Sequence, residues 1–230
     1  MKNPVRKIFE EVSKTYELTN HVFTFGMDIL WRKRAIKAAA AGGGSMWLDI
    51  CSGTGETAVS LKRLAPPHTT VVSADFCFPM LKEAAAKPDA KNIRFAISNA
   101  TALPFPDESF DLITITFATR NLNTDRSALV RTFSEFHRVL KNGGRFVNLE
   151  TSQPPSKIVK TLFHVYVGIF VKPVGKMISG SSSAYAYLSN TIPRFYNAEE
   201  LSNIMSEAGF KDVTFERLLF GAAAIHRAVK

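Results

Sequence analysis

Three polar side chains stand in or just after short apolar runs of this 230-residue chain, and a glycine loop follows the first of them. Asp49 lies inside the run 46–50, Gly53-Thr54-Gly55 comes next, Asp75 ends the run that starts at 70, and Ser98-Asn99-Ala100 follows the run 93–97. Glycines where a strand becomes a helix let the backbone bend sharply and let a ligand approach its amides. A carboxylate inside a strand is costly to desolvate unless it has a partner, and a ligand amino group with nearby amides would give Asp49 one. Asp75 is placed to accept both hydroxyls of one ribose, and Asn99 offers an amide to an adenine edge. The chemistry these residues point to is the binding of an adenosine-bearing cofactor.

Two classes of cofactor compete for that pattern. With Ala58 the loop also satisfies G-x-G-x-x-A, and Asp75 lies about 20 residues on, where an acid binds the ribose of a dinucleotide. Asp49 before the loop and Asn99 after the third run favour S-adenosylmethionine over a nicotinamide or flavin dinucleotide. Taken singly, each of these residues reads equally well as a turn or cap.

The elements that must position them follow from periodicity and breakers. Residues 4–16 and 28–41 carry helical spacing, so the first forty residues read as two helices closed by Gly42-Gly43-Gly44. Strands at 46–50, 70–74, 93–97, 110–117 and 145–149 alternate with helices at 56–65, 79–87 and 126–140. The run 110–117 is nearly continuous in apolar residues, as suits a sheet covered on both faces. A helix at 156–171, a loop rich in Gly and Ser, a helix at 198–209 and two edge strands at 213–219 and 222–228 complete the chain. This order implies an α/β fold: a doubly wound, mostly parallel seven-stranded Rossmann-like sheet with helices on both faces and an N-terminal helical cap. The ligand site then lies beyond the carboxyl ends of the strands. A single domain is expected over 1–230, with a cap at 1–41, a cofactor-binding core at 46–150 and a substrate lid with the sheet edge at 151–230.

Farther along, the sequence resembles the ubiquinone/menaquinone C-methyltransferases. The resemblance rests on Asn99-Ala100-Thr101-Ala102-Leu103-Pro104-Phe105-Pro106-Asp107, on Tyr16-Glu17-Leu18-Thr19-Asn20, Phe25-Gly26 and Trp31-Arg32, and on Phe117-Ala118-Thr119-Arg120-Asn121. It continues through Arg138-Val139-Leu140-Lys141-Asn142-Gly143-Gly144-Arg145, Leu149-Glu150, Tyr185-Ala186-Tyr187-Leu188 and Ala224-Ile225-His226-Arg227, nearly the whole chain. Ala118 and Ser52 stand where that family usually or often has Gly, and Thr19 where it has Met. The resemblance implies a class I methyltransferase that uses S-adenosylmethionine to methylate an isoprenoid quinol ring. Carried over by position, it implies cofactor contacts at Thr54, Asp75, Asn99, Ala100 and Thr116. At the exit of the fourth strand, Arg120 reads either as the group that stabilises the ring phenolate electrostatically, with Asn121 orienting the ring oxygen, or as a solvated or ion-paired arginine. His21, His164 and His226 are bases by type only. Tyr16, Trp31, Tyr166, Tyr185 and Tyr187 are candidates either for the substrate pocket or for ordinary core packing.

Composition narrows the partners. The formal charge is +9, with two cysteines, Cys51 and Cys77, in no Cys-x-x-Cys pair and no histidine cluster at ligand spacing. No metal centre or disulfide framework is expected. The N-terminus has no signal-peptide pattern and no 18-residue apolar stretch is present, so a cytoplasmic protein is expected. Lys157, Lys160, Lys172 and Lys176 bracket the apolar segment 158–171, which reads either as a helix packed on the sheet or as a lid at the inner face of a membrane. No nucleic-acid partner is expected, and a homodimer is compatible with the sequence. Two other readings remain open: a methyltransferase for a different small or lipid acceptor, and a cofactor-binding accessory protein without catalysis.

Overall fold

A computed structural model describes residues 4–230; Val5, counted in the N-terminal periodicity, lies outside the residues whose side chains are described. The strands are β1 (Met46–Ile50), β2 (Thr70–Asp75), β3 (Ile93–Ile97), β4 (Phe110–Thr116), β5 (Leu140–Thr151), β6 (Lys211–Leu218) and β7 (Ala223–Val229). They form one seven-stranded sheet in the order β3-β2-β1-β4-β5-β7-β6. The first five are parallel, and β7 runs antiparallel to both β5 and β6. The order reverses between β1 and β4, which opens a crevice beyond their carboxyl ends. Along β1 and β2 every residue after the first is buried, as a strand covered on both faces requires. In the register, Asp49 stands opposite Ser73 on one side and Thr114 on the other.

Helices cover both faces. One layer holds α7 (Arg126–Val139) and α11 (Ala198–Glu207), whose Phe133, Phe136, Leu201 and Met205 pack with Phe146 and Ile113. The other holds α3 (Met27–Ala40) and α4 (Glu56–Leu64), whose Ile36 and Leu61 pack with Trp47, Leu112 and Leu149. Each such side chain contributes roughly 1.5–3 kcal/mol by leaving water. The helix starts are set locally: Asp125 accepts from the Ala128 amide at 2.8 Å, and Asn197 with Glu200 closes a reciprocal cap on α11.

Three helices, not two, precede the sheet: α1 (Pro4–Val12), α2 (Tyr16–Phe23) and α3. The apolar spacing runs on, but Gly26 adopts φ +75° and turns the chain between α2 and α3. Between β2 and β3 lies α5 (Phe78–Ala85), and α6 (Thr119–Leu122) is a single turn after β4.

The larger departure comes after β5. Helix α8 (Lys157–Tyr166) passes through a widened turn, Val167–Val171, directly into α9 (Lys172–Ser179). Pro173 lacks an amide and its ring crowds the carbonyl four residues back, so a widened turn at that place lets the helix continue. Gly180, at φ +77°, ends α9, and α10 (Ser182–Thr191) follows at once. The stretch whose Gly and Ser content suggested a loop is therefore two packed helices with one turn between them. A Cβ on Gly175 would sit 2.2 Å from the Tyr185 ring, so glycine is what lets α9 and α10 approach. The rod Lys157–Ser179 has 23 residues and is, by length and composition alone, apolar enough to cross a membrane. Lysines interrupt its apolar run without ending the helix, which is why no continuous apolar stretch marks it in the sequence.

Candidate active site

The parallel strands end in a row of left-handed residues. Cys51 after β1 has φ +51°, Gly53 +55° and Gly55 +79°, while Phe117 after β4 has φ +54°. Gly55 also lacks room for a side chain: a Cβ there would lie 2.8 Å from that of Ala84 on α5. Asp75 fixes the loop from the neighbouring strand. One of its oxygens accepts from the Gly53 amide at 2.9 Å and the other from the Cys77 amide at 2.8 Å. Burial raises the Asp75 pKa, and these amides partly offset the rise.

A cavity of about 90 Å³ opens over this loop, lined by Gly53, Asp75, Ser98, Asn99, Ala100 and Asn121 and roofed by Phe9 and Tyr16. Their rings meet edge to face at 5.8 Å. The Ser98 hydroxyl is buried on this lining without a hydrogen-bond partner. Asn99 is exposed and its side-chain oxygen accepts from the Thr101 amide at 3.1 Å. A smaller cavity adjoins it, sharing Tyr16, Cys51 and Gly53, and contains Thr54, Thr116, Arg32 and Glu56. The residues expected around a cofactor thus divide between two connected chambers.

Asp49 and Gly55 line neither chamber: Gly55 packs against Ala84, and the strand position of Asp49 turns its carboxylate toward Thr114 on the neighbouring strand. One oxygen accepts from the Thr114 hydroxyl at 2.7 Å, and the other has no hydrogen-bond partner. Burial lifts its pKa to about 7, against the pull of Thr114 and Arg32. Burial, reinforced by Asp75 and Asp49, likewise pushes the Cys51 thiol well above its ordinary value.

Arg32 carries a role that sequence reasoning left unassigned. It reaches across from α3 to donate to Thr116 at 2.9 Å and Thr57 at 3.1 Å, pairs with Glu56 at 3.1 Å, and lies 5.5 Å from the Phe117 ring centre. Its place in the Trp31-Arg32 motif was the one available signal. His21, Asp28 and Glu56 converge nearby, His21 bonding Asp28 at 2.9 Å. The Arg32 guanidinium sits 3.7 Å from Asp28 as well, so an arginine supplies the cation for this cluster.

Arg120 is buried at the exit of β4. Its guanidinium donates to Asn121 at 3.2 Å and to Thr191 on α10 at 2.9 Å, while its backbone amide donates to Glu150 at 3.1 Å. Its Nε is buried and has no partner. The histidines stand apart from this centre. His226 bonds the Ala198 carbonyl at 2.9 Å and burial drops its pKa to about 4; His164 bonds Gln153 at 2.7 Å. Tyr185 is core, its hydroxyl 3.2 Å from that of Thr19.

The polar groups fit S-adenosylmethionine. One chamber offers a carboxylate for ribose hydroxyls and an unpartnered hydroxyl at Ser98. The other offers a guanidinium and hydroxyls for an amino-acid end.

Comparison with known proteins agrees. The model of the ubiE/COQ5 methyltransferase family matches residues 1–230. A demethylmenaquinone methyltransferase of Thermus thermophilus is 41% identical over 221 residues, covering 95% of this chain and 98% of that protein. A ubiquinone/menaquinone biosynthesis C-methyltransferase of Pseudomonas putida is 37% identical over 230 residues, covering 98% and 88%. Among solved structures, an S-adenosylmethionine-dependent methyltransferase of Thermotoga maritima, described as a possible histamine N-methyltransferase, superposes with a TM-score of 0.68 at 21% identity, covering 97% and 99%. One from Aquifex aeolicus gives 0.60 at 17% identity, covering 86% and 88%. At those identities the likeness is one of fold: the class I methyltransferase sheet.

Proposed function

Because the chain belongs to the ubiE/COQ5 methyltransferase family, and is an S-adenosylmethionine-dependent methyltransferase, we propose that it methylates a ring carbon of a polyprenylated quinol, either a demethylmenaquinol or a ubiquinol precursor. The observation that carries this reading is the buried Arg120, with an unpartnered Nε beside Asn121 on the cofactor cavity. A hydroquinone ring carbon becomes nucleophilic when the neighbouring hydroxyl loses its proton. A buried guanidinium with a free donor stabilises the resulting phenolate far better than water-exposed charge would. Asn121 accepts from Arg120 through its side-chain oxygen, which leaves its amide nitrogen to orient the ring oxygen.

S-Adenosylmethionine would be held by Asp75, Asn99, Ala100, Gly53 and Thr54, with Arg32 and Thr116 in the adjoining chamber, and would supply an electrophilic methyl. The protein's own task is alignment and exclusion of water, and the roof of Phe9 and Tyr16 serves the second. Incubation with labelled cofactor and chemically reduced demethylmenaquinol tests the reading: label in a ring-methylated quinol is expected. Transfer to phospholipid, with none to either quinol class, would overturn it.

The same reading places the protein in the cytoplasm at the inner face of a membrane, where such a substrate resides. Ile158, Leu162, Val165 and Ile169 form one exposed stripe along the rod, at 75%, 65%, 50% and 71% exposure, flanked by the exposed Lys157, Lys160, Lys172 and Lys176. Each lysine near an anionic bilayer contributes about 1 kcal/mol, and the stripe adds apolar burial. Co-sedimentation with vesicles containing anionic lipid is expected, weakening as salt rises. No sedimentation with anionic or neutral vesicles would rule the association out.

A further inference from the structure

A further cavity lies apart from the two chambers. It is an open groove of about 350 Å³ between α8, the α2–α3 turn and the segment before β7, lined mainly by apolar side chains, with the Tyr166 hydroxyl taken up by the Phe23 carbonyl. Three of its wall residues lead back to the reaction centre. Ile192 follows Thr191, which holds Arg120; the Thr151 hydroxyl donates to Glu150, which accepts from the Arg120 amide; and Trp31 packs 6.5 Å from Phe117 of the smaller chamber.

The mouth is marked by two exposed aromatic rings held in costly backbone. Phe25 is 77% exposed at φ +51°, and Phe220 is 78% exposed at φ +54°, with Leu219 beside it at φ +43°. Bulky residues in the left-handed region persist only where the surrounding structure enforces them, and such positions gather at ligand-clamping sites. Here each is followed by a left-handed glycine, Gly26 or Gly221. Phe25 also stacks on Phe170 at 5.9 Å, so its ring is fixed to the lip of the groove.

We propose that this groove holds the polyisoprenoid tail of the acceptor, with Phe25 and Phe220 as its jaws, so that the tail lies apart from the cofactor cavity while the ring reaches Arg120. The proposal rests on the quinol reading and adds to it a binding subsite with its own chemistry. A repeating C5 chain is apolar, narrow and long, which suits an open apolar groove whose wall residues Ile192 and Thr151 adjoin the partners of Arg120. Acyl chains of a bilayer and a second copy of the protein are the other occupants such a surface could take.

The test compares a demethylmenaquinol bearing a geranylgeranyl tail with the tail-less 1,4-naphthoquinol, both reduced and both in neutral detergent micelles. For Phe25→Ser and Phe220→Ser, the KM for the tailed substrate should rise roughly tenfold with kcat held, and the tail-less substrate should be unaffected. Geranylgeraniol should inhibit competitively against the tailed quinol only. It should also change the emission of Trp31, which lines the groove while Trp47 is fully buried. Equal effects of the substitutions on both substrates, or no response of Trp31 to geranylgeraniol, would overturn the proposal. So would a KM change that appears on vesicles and vanishes in micelles, or a dimer that Phe220→Ser dissociates. If the wild type methylates neither quinol, the quinol reading falls, and the Trp31 titration still decides whether the groove takes an isoprenoid chain.

Discussion

The backbone amide of Gly53 donates to the carboxylate of Asp75 at 2.9 Å, which ties the glycine loop to the end of the neighbouring strand. The remaining acceptor sites of that carboxylate face the cavity.

Asp75→Asn should therefore weaken S-adenosylmethionine binding by about 10–100-fold, since charge-assisted bonds contribute about 1.5–3 kcal/mol each. The asparagine oxygen can satisfy one of the two amides at Gly53 and Cys77, while its NH₂ opposes the other. Calorimetric titration with the cofactor measures the loss; unchanged affinity would remove Asp75 from the site.

Arg120→Ala should lower kcat by about 10²–10³-fold, the range for losing one preorganised donor at a developing oxyanion. Affinity for the cofactor should hardly move, because Arg120 lines neither chamber. Arg120→Lys should not rescue it, since one ammonium nitrogen cannot occupy both the Nη1 position that bonds Thr191 and Asn121 and the separate Nε position that is left unpartnered. Small equal losses in kcat and affinity would contradict the proposed role.

Asp49 gives the cofactor-free protein a pH-dependent stability. Its pKa is about 7 when folded against 3.8 as reference, so the folded state binds the extra proton between those values. Stability from this group is present below about pH 4 and falls as pH rises to about 7, a loss on the order of 4 kcal/mol. Melting temperature should drop from pH 5 to pH 8, and Asp49→Asn should flatten that slope. A slope retained in the variant would locate the titration elsewhere.

Gly175→Ala should destabilise the protein by about 1–3 kcal/mol, because the methyl would meet the Tyr185 ring and force α9 from α10. For a chain of this length that is roughly a 2–12 °C fall in melting temperature. An unchanged melting curve would mean that the Tyr185 ring yields freely.

The strand ends were legible because buried parallel strands are apolar runs, and residues just beyond them stand in the ligand crevice. That reasoning put Asp75 and Asn99 at the strand ends, where both line the cavity. The orientation of Asp49 was not readable, because a strand residue's direction depends on pleat and on neighbours such as Thr114, 65 positions away. Arg32 escaped for the same reason: its partner Thr116 lies 84 positions off. The rod and α10 were hidden by composition, since Pro173, Gly175, Gly180 and Ser181 are loop residues by local preference. Their helical state is imposed by packing, with Tyr185 filling the space that Gly175 leaves.

The roof over the cofactor cavity carries a kinetic consequence. Phe9 and Tyr16 line the cavity from α1 and α2, which are joined only by residues 13–15. Movement of those two helices would widen the cavity, so release of spent cofactor is expected to depend on the α1–α2 pair as well as on the loop that grips it.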